Sequence, residues 1–215
     1  MKMLMAVAAF AGTIALASGA EAVTYTNSGS IAVPGNLSSG PADPFPTTID
    51  VTGSGLVTGL TVDIFGLSHT YPDDVFIGLV SPDGTTVVLM NDAGGSGDIS
   101  NVNLTFDDAA GSAIPDSGTL VSGTYSTGSF GRLPDNFPTG IPAFAAGGAL
   151  SDFVGLEANG TWSLFVQDDA GGDTGSISGG WALNIEVAPV PLPAGLPLLL
   201  AGLGALGIAS RRRRS

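Results

Sequence analysis

Apolar residues in this chain recur at every second position in short runs, and that period fits β-strands and little else. Leu60, Val62 and Ile64 alternate with Thr61 and Asp63, and Val75, Ile77 and Leu79 follow. The turn Ser81-Pro82-Asp83-Gly84 then leads into the run from Thr85 to Met90. Val102, Leu104 and Phe106 form another run, Trp162, Leu164 and Val166 a further one, and Trp181, Leu183, Ile185 and Val187 the last. Such alternation turns one face of each strand to a core and the other outward. Proline and aspartate with a glycine at the exit suit a tight hairpin between two of the runs. With 33 glycines and 14 prolines in 215 residues, and no long amphipathic pattern away from the ends, helices have little room. The expected fold is all-β, an antiparallel jelly-roll-like sandwich. The stretch from Ala109 to Leu150, rich in Gly, Ser and Pro, is expected to form long surface loops, and no internal repeat is visible.

Both ends read differently from this interior. Lys2 is followed by an uncharged apolar run from Met3 to Ala17, and Ala20-Glu21-Ala22 fits a small-x-small cleavage site. Residues 1–22 are therefore expected to be a signal peptide with a helical apolar segment, and Val23 the mature start. At the other end, residues 188–194 form a proline-rich spacer, 195–210 an apolar helix expected to span a membrane, and 211–215 a basic cytoplasmic tail. The apolar segment is near the short end of what crosses a bilayer, at about 25 Å as helix. Arg211 to Arg214 hold that end in the cytoplasm and place the domain on the other side. An ordinary tail anchor has the same layout. The order of Val190-Pro191-Leu192-Pro193-Ala194, apolar run and arginines resembles the VPLPA variant of the PEP-CTERM sorting signals. That resemblance implies an exosortase-type processing enzyme as partner, an inner-membrane-anchored precursor, and delivery to the cell surface or extracellular matrix.

The remaining residues, 23–187, amount to one domain. Of the chain's 6 basic residues only Arg132 falls inside it, and of 19 acidic residues only Glu21 falls outside, which leaves a net charge of about −17. A surface this acidic repels a phosphate backbone, so nucleic acid is excluded as a partner. The chain has no cysteine, which rules out disulfides, thiol catalysis and cysteine-ligated metals.

Within this domain, Ser68-His69-Thr70-Tyr71-Pro72-Asp73-Asp74-Val75-Phe76-Ile77-Gly78-Leu79-Val80-Ser81-Pro82-Asp83-Gly84 resembles the His-x4-Asp, Leu and Ser-Pro-x-Gly stretch of the proprotein convertase P domain (P/Homo B). Leu104-Thr105-Phe106-Asp107-Asp108 and Leu150-Ser151-Asp152-Phe153 are similar to its middle blocks, and Asn159-Gly160-Thr161-Trp162 to a strand entry. Gly172-Asp173-Thr174-Gly175 and Gly180-Trp181-Ala182-Leu183 resemble its closing motifs. The resemblance implies a jelly-roll β-sandwich that elsewhere accompanies a subtilisin-like protease, and it makes His69 a structural residue at a strand end.

A serine triad needs a nucleophile, a histidine and an orienting acid. This chain has one histidine, His69, and no Gly-x-Ser-x-Gly elbow, so it is not expected to be an enzyme. Its acidic turns suggest cation binding instead. Asp168, Asp169 and Asp173 share one glycine-rich turn, and Asp74 is the further candidate ligand. Calcium takes carboxylate and carbonyl oxygens, although the spacing is not that of an EF-hand. Solvated turns whose carboxylates cap backbone N–H groups are the alternative, and for the pairs Asp73-Asp74 and Asp107-Asp108 the stronger one. Trp162 and Trp181, each opening an alternating run, are expected in the core, while Tyr71, Tyr125 and Phe130 are candidates for exposed contact. The expected function is a non-catalytic, exported surface or matrix module, stabilised by calcium. The alternatives are a module binding carbohydrate or exopolysaccharide, and an accessory domain acting with a separate subtilisin-like protease.

Overall fold

The computed structural model describes residues 21–34, 38–53, 55–134 and 137–188. The expected signal helix, the sorting motif from Val190 to Ala194, the apolar segment and the basic tail lie outside these, apart from the last residues of the expected leader. No helix among the described residues is long and apolar enough to cross a membrane.

Among the described residues thirteen strands make two sheets, as the alternating runs require. The larger sheet contains β1 (Glu21–Asn27), β13 (Trp181–Val187), β5 (Val57–His69), β12 (Gly175–Ile177) and β2 (Ile31–Val33), in that order. To it are added β8 (Ile99–Phe106), paired with β5, and β9 (Gly123–Tyr125), paired with β8. The smaller sheet runs β10 (Gly128–Ser129), β7 (Thr86–Asn91), β6 (Val75–Val80), β11 (Gly160–Asp168) and β3 (Gly40–Pro41), with β4 (Thr47–Val51) also on β11. Pairing is antiparallel except for β10 on β7 and β9 on β8. Strand β1 begins at Glu21, two residues before the expected mature start, and zips onto β13 from Glu21 opposite Val187 to Asn27 opposite Trp181.

The main core holds one face of each sheet. Val62, Ile64 and Leu67 of β5, and Leu183 and Ile185 of β13, meet Ile77 and Leu79 of β6 and Leu164 and Val166 of β11. Trp162 and Trp181 are both fully buried, as the sequence implies. Each ring N–H has a partner: Trp162 Nε1 donates to the Ala158 carbonyl at 2.9 Å, and Trp181 Nε1 to Thr47 Oγ1 at 3.2 Å. Such partners keep a large buried ring from stranding a polar atom. The hairpin from β6 to β7 turns at Ser81–Gly84, closed by Gly84 N–H to the Ser81 carbonyl at 3.0 Å, with Gly84 at φ 91°.

The segment after Ala109 departs from expectation. Besides β9 and β10 it supplies Phe137, Ile141 and Phe144, which cover the outer face of the smaller sheet and pack on Phe76, Val80, Val88 and Phe165. Phe144 meets Phe76 at 5.1 Å and Phe165 at 5.8 Å, both edge to face. That cover explains why every residue of β6 is buried, where a two-layer sandwich would leave alternate ones wet. Tyr125 and Phe130 are half-buried and pack against the main core, so they do not stand free as contact residues. Tyr71 is half-buried as well.

Candidate functional site

Strand direction gathers the acidic turns at one pole of the sandwich. Antiparallel pairing sets Asp168, the last residue of β11, opposite Val75, the first of β6. The 3-10 turn Pro72–Asp74 therefore sits beside the turn after β11, and Asp169 N–H donates to the Asp74 carbonyl at 3.0 Å. Asp173 arrives from the far side of the same turn, where its Oδ1 accepts the Thr70 hydroxyl at 2.8 Å. All four candidate ligands, Asp74, Asp168, Asp169 and Asp173, are thus brought to one place.

Asp168 is the unusual member. Val166 and Asp168 fall on the same face of β11, the face turned to the core, and Asp168 has no exposed surface. Its Oδ2 lies 3.3 Å from Nε2 of His69, the last residue of β5 in the opposite sheet. The two atoms are close but misaligned, and neither makes a hydrogen bond. Asp168 Oδ1 accepts the Ala170 N–H at 3.1 Å. On the imidazole's other side, Nδ1 lies 2.9 Å from the Tyr71 carbonyl and 3.2 Å from the Tyr71 N–H. His69 is a strand-end residue, as the resemblance implies, with an aspartate rather than a serine before Nε2.

Burial and crowding shift these groups together. Desolvation first, then the charges of Asp169 and Asp173, push the Asp168 carboxyl up to about 6 against the Ala170 hydrogen bond. Desolvation and then Asp168, Asp169 and Asp173 push Asp74 up to about 6, with His69 acting the other way. Burial lowers His69, countered by its backbone contact to Tyr71 and by Asp74 and Asp173. In each case burial penalises the charged form most.

One member of this pole is invisible to sequence reasoning. Asp92, just after β7 at φ 48°, has a carboxyl raised to about 6 by desolvation and by Asp169, Asp73 and Asp74, and lowered by the backbone of Arg132. The only signal was its place in the glycine-rich turn Asn91-Asp92-Ala93-Gly94-Gly95. Asp107 and Asp108 stay apart from the pole and cap backbone. Asp107 Oδ1 accepts the Ala109 N–H at 2.8 Å, and Asp108 accepts those of Leu150 and Ser151 at 2.9 and 2.7 Å. Among the described residues no three acidic or imidazole groups converge into a ready ligand set. A cation at this pole would need the carboxylates to close by side-chain rotation, with carbonyls of the glycine-rich turn completing the shell.

Residues 59–128 match the family model of the proprotein convertase P-domain. The resemblance read from Ser68 to Gly84 and from Leu104 to Asp108 is borne out within that stretch. Two solved structures are also similar. The Aeromonas sobria serine protease is 19% identical over 78% of this chain and 27% of its own, with a TM-score of 0.37. The complex of that protease with its chaperone gives 19%, 79%, 28% and 0.38. The chain spans less than a third of the length of these structures.

Proposed function

We propose that this chain is an exported, non-catalytic P-domain-like module whose acidic pole takes a calcium ion. One observation carries the reading. Asp168 is fully buried, yet Oδ2 receives no hydrogen bond, with Asp74, Asp169 and Asp173 around it. A buried carboxylate oxygen without a donor costs about 1–3 kcal/mol or more, and a hard cation supplies what the protein withholds. Calcium suits the site better than magnesium because its larger, flexible shell tolerates turn carbonyls and uneven carboxylates. The jelly-roll connectivity that the family resemblance implies belongs to the same proposal.

The test is thermal melting of the full chain. Calcium at a hundredfold excess over its Kd should stabilise by about 2.7 kcal/mol, and Asp173→Asn should shrink the shift. Equal melting in EDTA and in millimolar calcium overturns the metal.

Export and sorting rest on the two ends. Mass spectrometry should find Val23 as the mature amino terminus, and a chain retaining Met1 counts against export. A processing enzyme of the exosortase type needs an accessible backbone, and proline, which lacks an N–H, disfavours both helix and sheet pairing. Replacing Pro191 and Pro193 with alanine should leave a membrane-retained precursor, and undiminished surface display would refute that route. The alternative of glycan binding has no exposed tryptophan to work with among the described residues, since both are buried. The match over 59–128 favours instead, as second reading, a module placed beside a separate subtilisin-like protease. Reconstitution with such a protease, read as a gain in its thermal stability, tests that reading.

A further inference from the structure

A cavity of about 480 Å³ opens on the outer side of the larger sheet, away from the acidic pole. Its volume is within the range of small-ligand sites, roughly 300–1,000 Å³. Ala109, Leu150 and Val154 provide an apolar floor, and Gly59 adds no side chain that would fill it. One wall is rigid. Asn184 Nδ2 donates to Thr61 Oγ1 at 3.1 Å and to Asp63 Oδ2 at 2.8 Å, while its Oδ1 accepts the Thr24 hydroxyl at 2.7 Å. Opposite, Asp108 pins the short helical turn Leu150–Phe153 through two backbone N–H groups, which fixes the other wall.

The rim is lined by Asp107, Asp108 and Glu186, and no basic residue lines the cavity. A preformed apolar slot ending in carboxylates matches one shape of ligand, an aliphatic stem with a cationic head. Lysine and arginine side chains have that form, burying the stem while the head reaches polar surroundings. A neutral sugar would find the amide of Asn184 already engaged and no aromatic ring among the lining residues. We infer that this groove receives a lysine or arginine side chain from a basic polypeptide. The size and floor of the cavity select the stem, and the carboxylates select the sign of the head.

The experiment titrates the full chain, in constant millimolar calcium, with a blocked hexapeptide carrying two arginines and with the same peptide carrying citrulline. Saturable 1:1 binding of the arginine peptide is expected, at least tenfold weaker for citrulline, whose side chain has the same shape without the charge. Glu186→Gln and Asp107→Asn should each weaken it about fivefold or more. Thr58→Trp, which fills the groove from its edge without altering charge, should abolish it. Asp98→Asn, an exposed change of the same charge elsewhere, should leave it unaltered. Melting curves confirm that each variant is folded. The inference is overturned if Asp98→Asn weakens binding as much as Glu186→Gln, or if Thr58→Trp binds normally, because attraction would then be to net charge alone. Binding of a neutral oligosaccharide in preference to the peptide overturns it equally.

Discussion

Asp168 Oδ2 and His69 Nε2 face each other at 3.3 Å across the two sheets, the one ending β11 and the other ending β5. Neither group is comfortable as an ion, since burial raises the carboxyl to about 6 and lowers the imidazole.

Stability should depend on pH with a sign opposite to that of ordinary acid unfolding. Asp74, Asp92 and Asp168 all hold protons more tightly in the folded state, at about 6, than an unfolded aspartate does at 3.8. Their folded form gains protons first as pH falls, so each contributes stability that is present at low pH and lost as pH rises through about 6. His69, lowered by folding, acts the other way below its ordinary value of 6.5. Three carboxyls outnumber one imidazole, so in EDTA the melting temperature should be higher at pH 5 than at pH 7.5. Asp92→Asn should flatten that slope. A monotonic rise from pH 5 to 7.5 would contradict it.

The effect of Asp168→Asn should reverse with calcium. In EDTA at pH 7.5 the amide removes a buried charge repelled by its neighbours and should raise the melting temperature. In millimolar calcium the same change removes a ligand and should lower it relative to wild type. Differential scanning calorimetry of both proteins in both buffers decides, and parallel shifts would count against a metal at this pole.

Trp162→Ala should cost about 3–5 kcal/mol in denaturant unfolding, the usual range for emptying a buried aromatic site. The indole is fully buried, edge-on to Phe153 at 5.1 Å, and its N–H is satisfied by Ala158. Trp162→Phe should recover most of that loss, because the ring contact persists. A cost below about 1 kcal/mol for the alanine variant would mean the site is not core.

Two glycines should respond to alanine for different reasons. Gly84 has φ 91° with nothing near its missing Cβ, so Gly84→Ala should cost only the conformational strain, about 1–2 kcal/mol. At Gly175 a Cβ would sit 2.1 Å from the Ser68 carbonyl oxygen and 2.3 Å from His69 Cδ2. Backbone cannot yield as a flexible side chain does, so Gly175→Ala should prevent β12 from docking on β5 and abolish cooperative unfolding. Comparable melting of the two variants would refute the contrast.

How much of this could be read from the sequence depends on whether neighbours in space were also neighbours in period. β5, β8, β11 and β13 were legible because Leu60, Val62 and Ile64, or Trp181, Leu183 and Ile185, repeat every second residue toward a single core. β4 was not, because its core positions include Thr47, buried as the acceptor for Trp181. β1 was hidden because the expected leader runs through its first two residues. Phe137, Ile141 and Phe144 follow no strand period, so their cover over Phe76 and Phe165 is a product of tertiary packing alone. At the acidic pole, Asp168, Asp169 and Asp173 were found because they share a turn. Asp74 followed from a motif, and Asp92 came from an unrelated turn that only the β6–β7 pairing brings near.

The zipper between β1 and β13 also fixes how the module answers to force. Glu21 and Val187 face each other at the same end of that ladder, so a load drawn outward through both acts across the hydrogen bonds, not along them. Rungs then fail singly, from the amino-terminal end of β1 toward Asn27, and never as a sheared set. A pull in a force-spectroscopy experiment applied at residues 23 and 188 should peel β1 away at low load, while attachment at Asn27 and Ala188 should meet a far stiffer resistance.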